Sequence, residues 1–224
     1  MSDTVRLPAC SGPTPGEVCV PAIPIGFRAL ILDYDGTLAD TAPGNEQALR
    51  AALQPYGIDL DAHWYGQHVG LSIHDLLTAL PGGQALPHTE VIQRSRANLL
   101  ASMHTIEPIA CVLALLRSAR RAGLPCAIAS NASRILVDPG LDALSLREEF
   151  AAVVTREDVS QGKPHPALFT EAARRLSTSP DSCLAVDDAP EGIASARAAG
   201  MRVITVVGGH LALTDDVPQP KGSV

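Results

Sequence analysis

The spacing of apolar positions changes twice along the chain. The run Phe27-Arg28-Ala29-Leu30-Ile31-Leu32 is short and nearly unbroken, the pattern of a strand buried on both faces. From Ala42 the period becomes helical. Ala48, Leu49, Ala52 and Leu53 predict one helix running up to Tyr56-Gly57, with Pro43 suited to an early helical position. A second helix is predicted over about 72–80, opened by Ser72 as its cap and stopped by Pro81-Gly82-Gly83. A third, over about 88–103, carries Val91, Ile92, Leu99 and Leu100. No strand pattern interrupts residues 42–106. After Pro108 short apolar runs alternate with helical ones. Strands are predicted over about 125–129, 151–154, 183–186 and 202–207, and helices over about 112–122, 134–144, 166–176 and 189–199.

This alternation predicts an α/β fold: a Rossmann-like parallel sheet of five strands covered by helices on both faces, with an inserted all-helical cap. The expected division is a proline-rich tail over 1–26, a core over 27–41 and 107–224, and the all-helical insert over 42–106. The tail holds Pro8, Pro13, Pro15, Pro21 and Pro24, which exclude a helix and disfavour a central strand. In open sheets of this kind ligands bind outside the carboxyl ends of the strands. Those ends carry Asp33 and Asp35, then Ser130-Asn131, then Asp187-Asp188. Lys163, in the loop before a predicted helix, can reach the same edge.

Composition narrows the partners. The formal net charge of −7 over 224 residues, with no basic cluster to offset it, argues against nucleic acid. Of 17 basic residues only Lys163 and Lys221 are lysines, which singles out Lys163. The five cysteines form no CxxC pair and no zinc-like spacing, and suit a reducing compartment. No signal-peptide pattern and no apolar run of membrane-spanning length is present. The expectation is a cytoplasmic protein, monomeric or dimeric, that engages neither membrane nor nucleic acid.

Two carboxylates two residues apart at the end of a buried strand repel each other unless a cation compensates them. The pair Asp33/Asp35 therefore reads as a metal or acid/base site. For a phosphate ester the residues divide naturally. Asp33 attacks, Asp35 protonates the leaving alkoxide and then activates water, and Asp188 holds a hard cation such as magnesium with Asp33. Lys163 neutralises charge, and Ser130 with the amides of the following helix start donates to the phosphoryl oxygens.

This set resembles the haloacid dehalogenase superfamily. Asp33-Tyr34-Asp35-Gly36-Thr37-Leu38 is similar to its first motif, Ser130-Asn131 to its second, Lys163-Pro164 to its third, and Val186-Asp187-Asp188 with Gly192 and Ala198-Ala199-Gly200-Met201 to its fourth. The inserted helices resemble the α-helical cap of the subgroup of β-phosphoglucomutase and small phosphatases. The resemblance implies an aspartyl-phosphate mechanism with Mg2+ bound by Asp33, the main-chain carbonyl of Asp35, and Asp188. It also implies that Ser130, Asn131 and Lys163 bind phosphate, that Thr37 steadies the acid/base carboxylate, and that Asp187 supports the metal site and pairs with Lys163.

The presence of Asp35 favours phosphoryl transfer over dehalogenation, since halide leaves without a proton. The mutase branch places a His and an Arg where this chain aligns Asn45 and Ile73, and Ile cannot grip a second phosphate. Hydrolysis of a small phosphorylated metabolite, a sugar or sugar-acid phosphate, is the expected reaction. A phosphosugar mutase and a catalytically silent metabolite-binding protein are the alternatives. Asn45, Gly70, His74 and Arg134 are the candidates for substrate specificity. Gly208-Gly209-His210 has no role assigned by the sequence.

Overall fold

The structure, a computed structural model, describes residues 26–69 and 71–213. The expected tail lies outside the described residues up to residue 25, as does Gly70. The sheet is built from β1 (Ala29–Leu32), β4 (Cys126–Ala129), β5 (Ala152–Val154), β6 (Cys183–Asp187), β7 (Arg202–Val207) and β8 (His210–Leu213), in the order β5-β4-β1-β6-β7-β8. All neighbours are parallel except β7 and β8, which are antiparallel.

The sheet's sidedness follows from the alternation within each strand. Leu30, Leu32, Cys126, Ile128, Leu184 and Val186 face one layer with the apolar side of α5 (Ala110–Arg121) and with α6 (Arg134–Ala143). Ala29, Ile31, Ala127, Ala129, Cys183 and Ala185 face the other, where small side chains leave room for Phe169 of α7 (Ala167–Arg175) and Ala196 of α8 (Pro190–Ala198). The large residues of the sheet thus go mainly to one face and the alanines to the other. Both layers are fully buried, which is why the strands read as unbroken apolar runs.

The six-stranded sheet corrects the expected five. Val207 pairs with His210, so Gly208-Gly209 is a two-residue hairpin loop. Its φ values of 56° and 79° are both in the left-handed region, as a type I′ turn demands of its central residues. The glycine pair therefore returns the chain along the outer edge of β7, and β8 packs against α5 beside Cys111.

The helices between 42 and 106 are α1 (Ala42–Leu53), α2 (Ala62–Gln67), α3 (Ile73–Ala79) and α4 (His88–Ser102). They enclose an apolar cluster of their own, with Leu53, Leu60, Leu77 and Val91 almost wholly buried. The short α2 is not apparent in the apolar periodicity. It begins at Asp61, whose carboxylate accepts from the Trp64 N–H. The two ends of this unit are tied by a strand pair, β2 (Ala39–Asp40) with β3 (Glu107–Pro108), in antiparallel register. Two-residue strands are too short to leave a periodic signature in the sequence.

Candidate active site

The strand order reverses at β1, which has β4 on one side and β6 on the other. Asp33 leaves β1 at this switch point, and its N–H donates to Val186 O at 2.9 Å. The carboxyl ends of β1, β4 and β6 accordingly bring Asp33, Ser130 and Asp187 together, although up to 154 positions separate them in the chain (187 minus 33). All three are buried.

Lys163 joins the cluster from the loop before α7. Its ammonium lies 2.5 Å from Asp33 Oδ1 and 2.7 Å from Asp187 Oδ2, and sits over the Phe169 ring at 5.0 Å. Asn131 positions it: the amide oxygen accepts from the Lys163 N–H at 2.8 Å, and the amide nitrogen donates to the Lys163 carbonyl at 3.3 Å. The Asn131 side chain thus clamps the lysine's backbone.

Ligand oxygens of Asp33, Asp187 and Asp188 lie within 4.8 Å of one another. Asp188 also accepts from Thr37 Oγ1 at 2.8 Å. Gly36 makes the approach possible. Its φ is +74°, and a Cβ there would stand 2.4 Å from Asp188 Oδ2. Burial raises the Asp33 pKa well above the ordinary carboxylate range, with Asp187 and Asp188 adding to the effect and Lys163 opposing it. Burial likewise pushes Asp188 up to about 6. For Lys163, burial works against the ammonium, but Asp187 and Asp33 together outweigh it and hold the pKa above its usual value. One lysine among three carboxylates leaves an excess of negative charge. The donors are all hard oxygens, so the cluster fits a hard divalent cation.

Asp35 stands apart from that cluster. Thr41 Oγ1 donates to Asp35 Oδ1 at 2.6 Å, and Asn45 Nδ2 donates to Thr41 Oγ1 at 3.3 Å. Burial raises the Asp35 pKa, and the hydrogen bond from Thr41 pulls it partly back. Here the structure corrects one expectation: Thr37 steadies Asp188, and Thr41 steadies Asp35. Thr41 occupies the N-cap position of α1 yet makes no side-chain cap bond, because its hydroxyl is given to Asp35. A threonine just before Ala42-Pro43 reads as a plain helix cap in the sequence, so its second use was invisible there.

Arg134 pairs with Asp158, at 2.5 Å, and donates to the Val153 carbonyl, at 3.3 Å. At the start of α6 one amide is already engaged. Glu157 accepts from the Arg134 N–H at 3.1 Å and from the Ser133 hydroxyl. Ser130 Oγ accepts from the Ala132 N–H at 3.0 Å, which leaves its own proton to donate elsewhere. Asn45 lies beside Asp35, as described above. His74 is exposed on α3, edge-on to His88 with ring centroids 5.3 Å apart.

Residues 30–206 match the family model of haloacid dehalogenase-like hydrolases. The chain belongs to that family. Among its relatives, the fructose-1-phosphate phosphatase YqaB of Escherichia coli K12 is 30% identical over 80% of this chain and 96% of its own length. Hexitol phosphatase A of the same organism is 30% identical over 80% of this chain and 82% of its own. The crystal structure of CbbY from Rhodobacter sphaeroides in complex with phosphate superposes with a TM-score of 0.72 at 25% identity, covering 81% of this chain and 87% of that one. The protein is therefore a hydrolase of the haloacid dehalogenase type with an α/β Rossmann-like fold, in the class of phosphoric monoester hydrolases. Among the described residues no helix is long and apolar enough to cross a membrane.

Proposed function

We propose that this protein is a magnesium-dependent phosphatase that hydrolyses a small phosphorylated metabolite, a sugar or sugar-acid phosphate, through an aspartyl-phosphate on Asp33. The observation that carries the reading is the separation of two carboxylate environments. Asp33 is ion-paired to Lys163 among other carboxylates, whereas Asp35 is held by Thr41 outside that group.

An Asp33 carboxylate oxygen forms the bond to phosphorus as the bond from phosphorus to the alcohol oxygen breaks. Asp35, kept protonated more readily by burial, gives its proton to that oxygen. The resulting Asp35 carboxylate then takes a proton from water as the water oxygen attacks the acyl-phosphate. Inorganic phosphate leaves and both aspartates are restored. Lys163 offsets charge on Asp33 and the phosphoryl oxygens, and the Ser130 hydroxyl donates to one of them. Asp33, the Asp35 main-chain carbonyl and Asp188 would hold a magnesium ion, which supplies further charge neutralisation at the phosphoryl group. Asp187 keeps Lys163 in place.

In this reading residues 27–41 with the chain from 107 onward form the catalytic core. Residues 42–106 form a cap that moves on β2 and β3 and excludes water while Asp33 attacks. The mutase alternative is weakened by Ile73 and Asn45, neither of which carries the positive charge that a second phosphate requires.

Phosphate release from a panel of sugar phosphates, phosphoglycolate and nucleotides should require magnesium and vanish in Asp33→Asn. Full activity in that variant refutes the mechanism. Isomerisation of a sugar phosphate that depends on a bisphosphate, with no net phosphate release, would establish the mutase instead.

A further inference from the structure

Building on the phosphatase reading, we propose that the cavity beside Asp35 receives the alcohol half of the substrate. Of the two classes named above it selects the sugar phosphate, whose alcohol is uncharged and hydroxyl-bearing, and rejects the sugar-acid phosphate, whose alcohol carries a second anionic group. The cavity, of about 220 Å³, lies between the β2–β3 pair, the N-terminal turn of α1, the end of α4, and α6. Asp35 lines it, whereas Asp33, Ser130, Lys163 and Asp188 do not. An in-line attack by Asp33 expels the alcohol on the side of the acid that protonates it. A cavity that shares Asp35 but none of the phosphoryl-binding residues is placed for the leaving group. Its volume falls below the range of about 300–1,000 Å³ usual for drug-sized ligands, which suits a compact alcohol.

The charges of the cavity decide the class. Asp40 and Glu107 are directly opposed in the antiparallel β2–β3 register, so their side chains emerge on the same face, and both line the cavity. Like charges so placed weaken a strand pair, and neither carboxylate has an ion-pair partner among the described residues. No lysine, arginine or histidine lines the cavity. A carboxylate or second phosphate on the alcohol would enter a space already bounded by the carboxylates of Asp40 and Glu107. A neutral hydroxyl meets the opposite situation. The side chains of Asn45, Ser102 and Thr105 line the same space, and their uncharged amide and hydroxyl groups can accept a hydrogen bond from it. Acceptors and donors without charge are what the cavity can satisfy.

The test compares kcat/KM, with magnesium at low ionic strength, for two groups of esters. Glycerol 1-phosphate and a hexitol monophosphate have uncharged alcohols, and phosphoglycolate and a sugar bisphosphate have anionic ones. Hydrolysis of p-nitrophenyl phosphate reports the phosphatase reading by itself. The uncharged group should be preferred by about tenfold or more, equivalent to about 1.4 kcal/mol, as expected for like charges several ångströms apart in a partly hydrated site. The preference should shrink at high salt, since Asp40 and Glu107 are exposed and screened. In the double variant Asp40→Asn/Glu107→Gln, kcat/KM for the anionic esters should rise, a gain that structural damage does not produce. Equal kcat/KM for the two groups, or an unmoved ratio in the double variant, overturns the inference while p-nitrophenyl phosphate hydrolysis leaves the phosphatase reading standing. No release from any ester, p-nitrophenyl phosphate included, overturns both.

Discussion

Replacing Asp188 by asparagine should stabilise the metal-free protein while abolishing its activity. Burial pushes this carboxyl from 3.8 up to about 6, with Asp187 adding to the effect. A group whose folded pKa lies above its unfolded value gives its full stability only below the unfolded pKa, and loses it as pH rises through the folded one. For Asp188 the loss is thus complete above about pH 7, and the difference between the two pKa values sets an upper bound of about 3 kcal/mol. Solvent reaching the partly exposed carboxylate reduces this to about 1–2 kcal/mol. Asparagine removes the charge and keeps an oxygen that can accept from Thr37, whose hydroxyl now lies 2.8 Å from Asp188. In EDTA at pH 8 the variant should melt about 2–6 °C above the unmodified protein for a domain of this size. At pH 4.5 the gain should largely disappear, because Asp188 is then mostly protonated, and so uncharged, in the folded protein. Magnesium should reverse the order, since it stabilises only the form that binds it. Thermal unfolding at both pH values, with and without magnesium, decides the matter. A variant no more stable than its parent in EDTA at pH 8, or a gain undiminished at pH 4.5, refutes the charge-crowding argument.

Two other substitutions probe the remaining contacts. Lys163→Met keeps the contact with Phe169 but leaves Asp33 and Asp187 buried without their cation, at a cost of roughly 3–5 kcal/mol in urea unfolding at neutral pH. Part of that loss should return as pH falls and Asp33, whose pKa burial already raises, takes up a proton. Thr41→Val removes the hydrogen bond that holds the Asp35 pKa down. The alkaline fall-off in kcat/KM, set by Asp35 acting as acid, should move to higher pH while kcat drops about tenfold. An unchanged pH profile would remove Thr41 from the acid/base pair.

Much of the core was legible from the sequence because buried parallel strands have a distinctive composition. Ala29–Leu32, Cys126–Ala129 and Cys183–Asp187 are nearly pure apolar runs, each followed closely by polar residues. That adjacency is a local property and marks the polar edge of the sheet directly. The second edge strand after Gly208-Gly209 and the two-residue β2–β3 pair were harder to see. Neither shows the length or alternation that periodicity can detect.

The chain's order of residues determined which functional groups are present and at which strand ends they stand: Asp33 and Asp35 after β1, Ser130 after β4, and the Asp187-Asp188 pair at the end of β6. What each group touches was decided by tertiary structure. Thr37 and Thr41 lie four residues apart, and both are plausible partners for Asp35 in one dimension. Only the turn at Gly36, which admits Asp188, gives Thr37 to Asp188 and leaves Thr41 for Asp35. Arg134 is close to Ser130 in sequence, yet Asp158 captures it from a segment more than twenty residues away. Hydrogen bonds and ion pairs act over a few ångströms in space, whatever the separation along the chain. Local patterns therefore name the chemistry, while the fold chooses its partners.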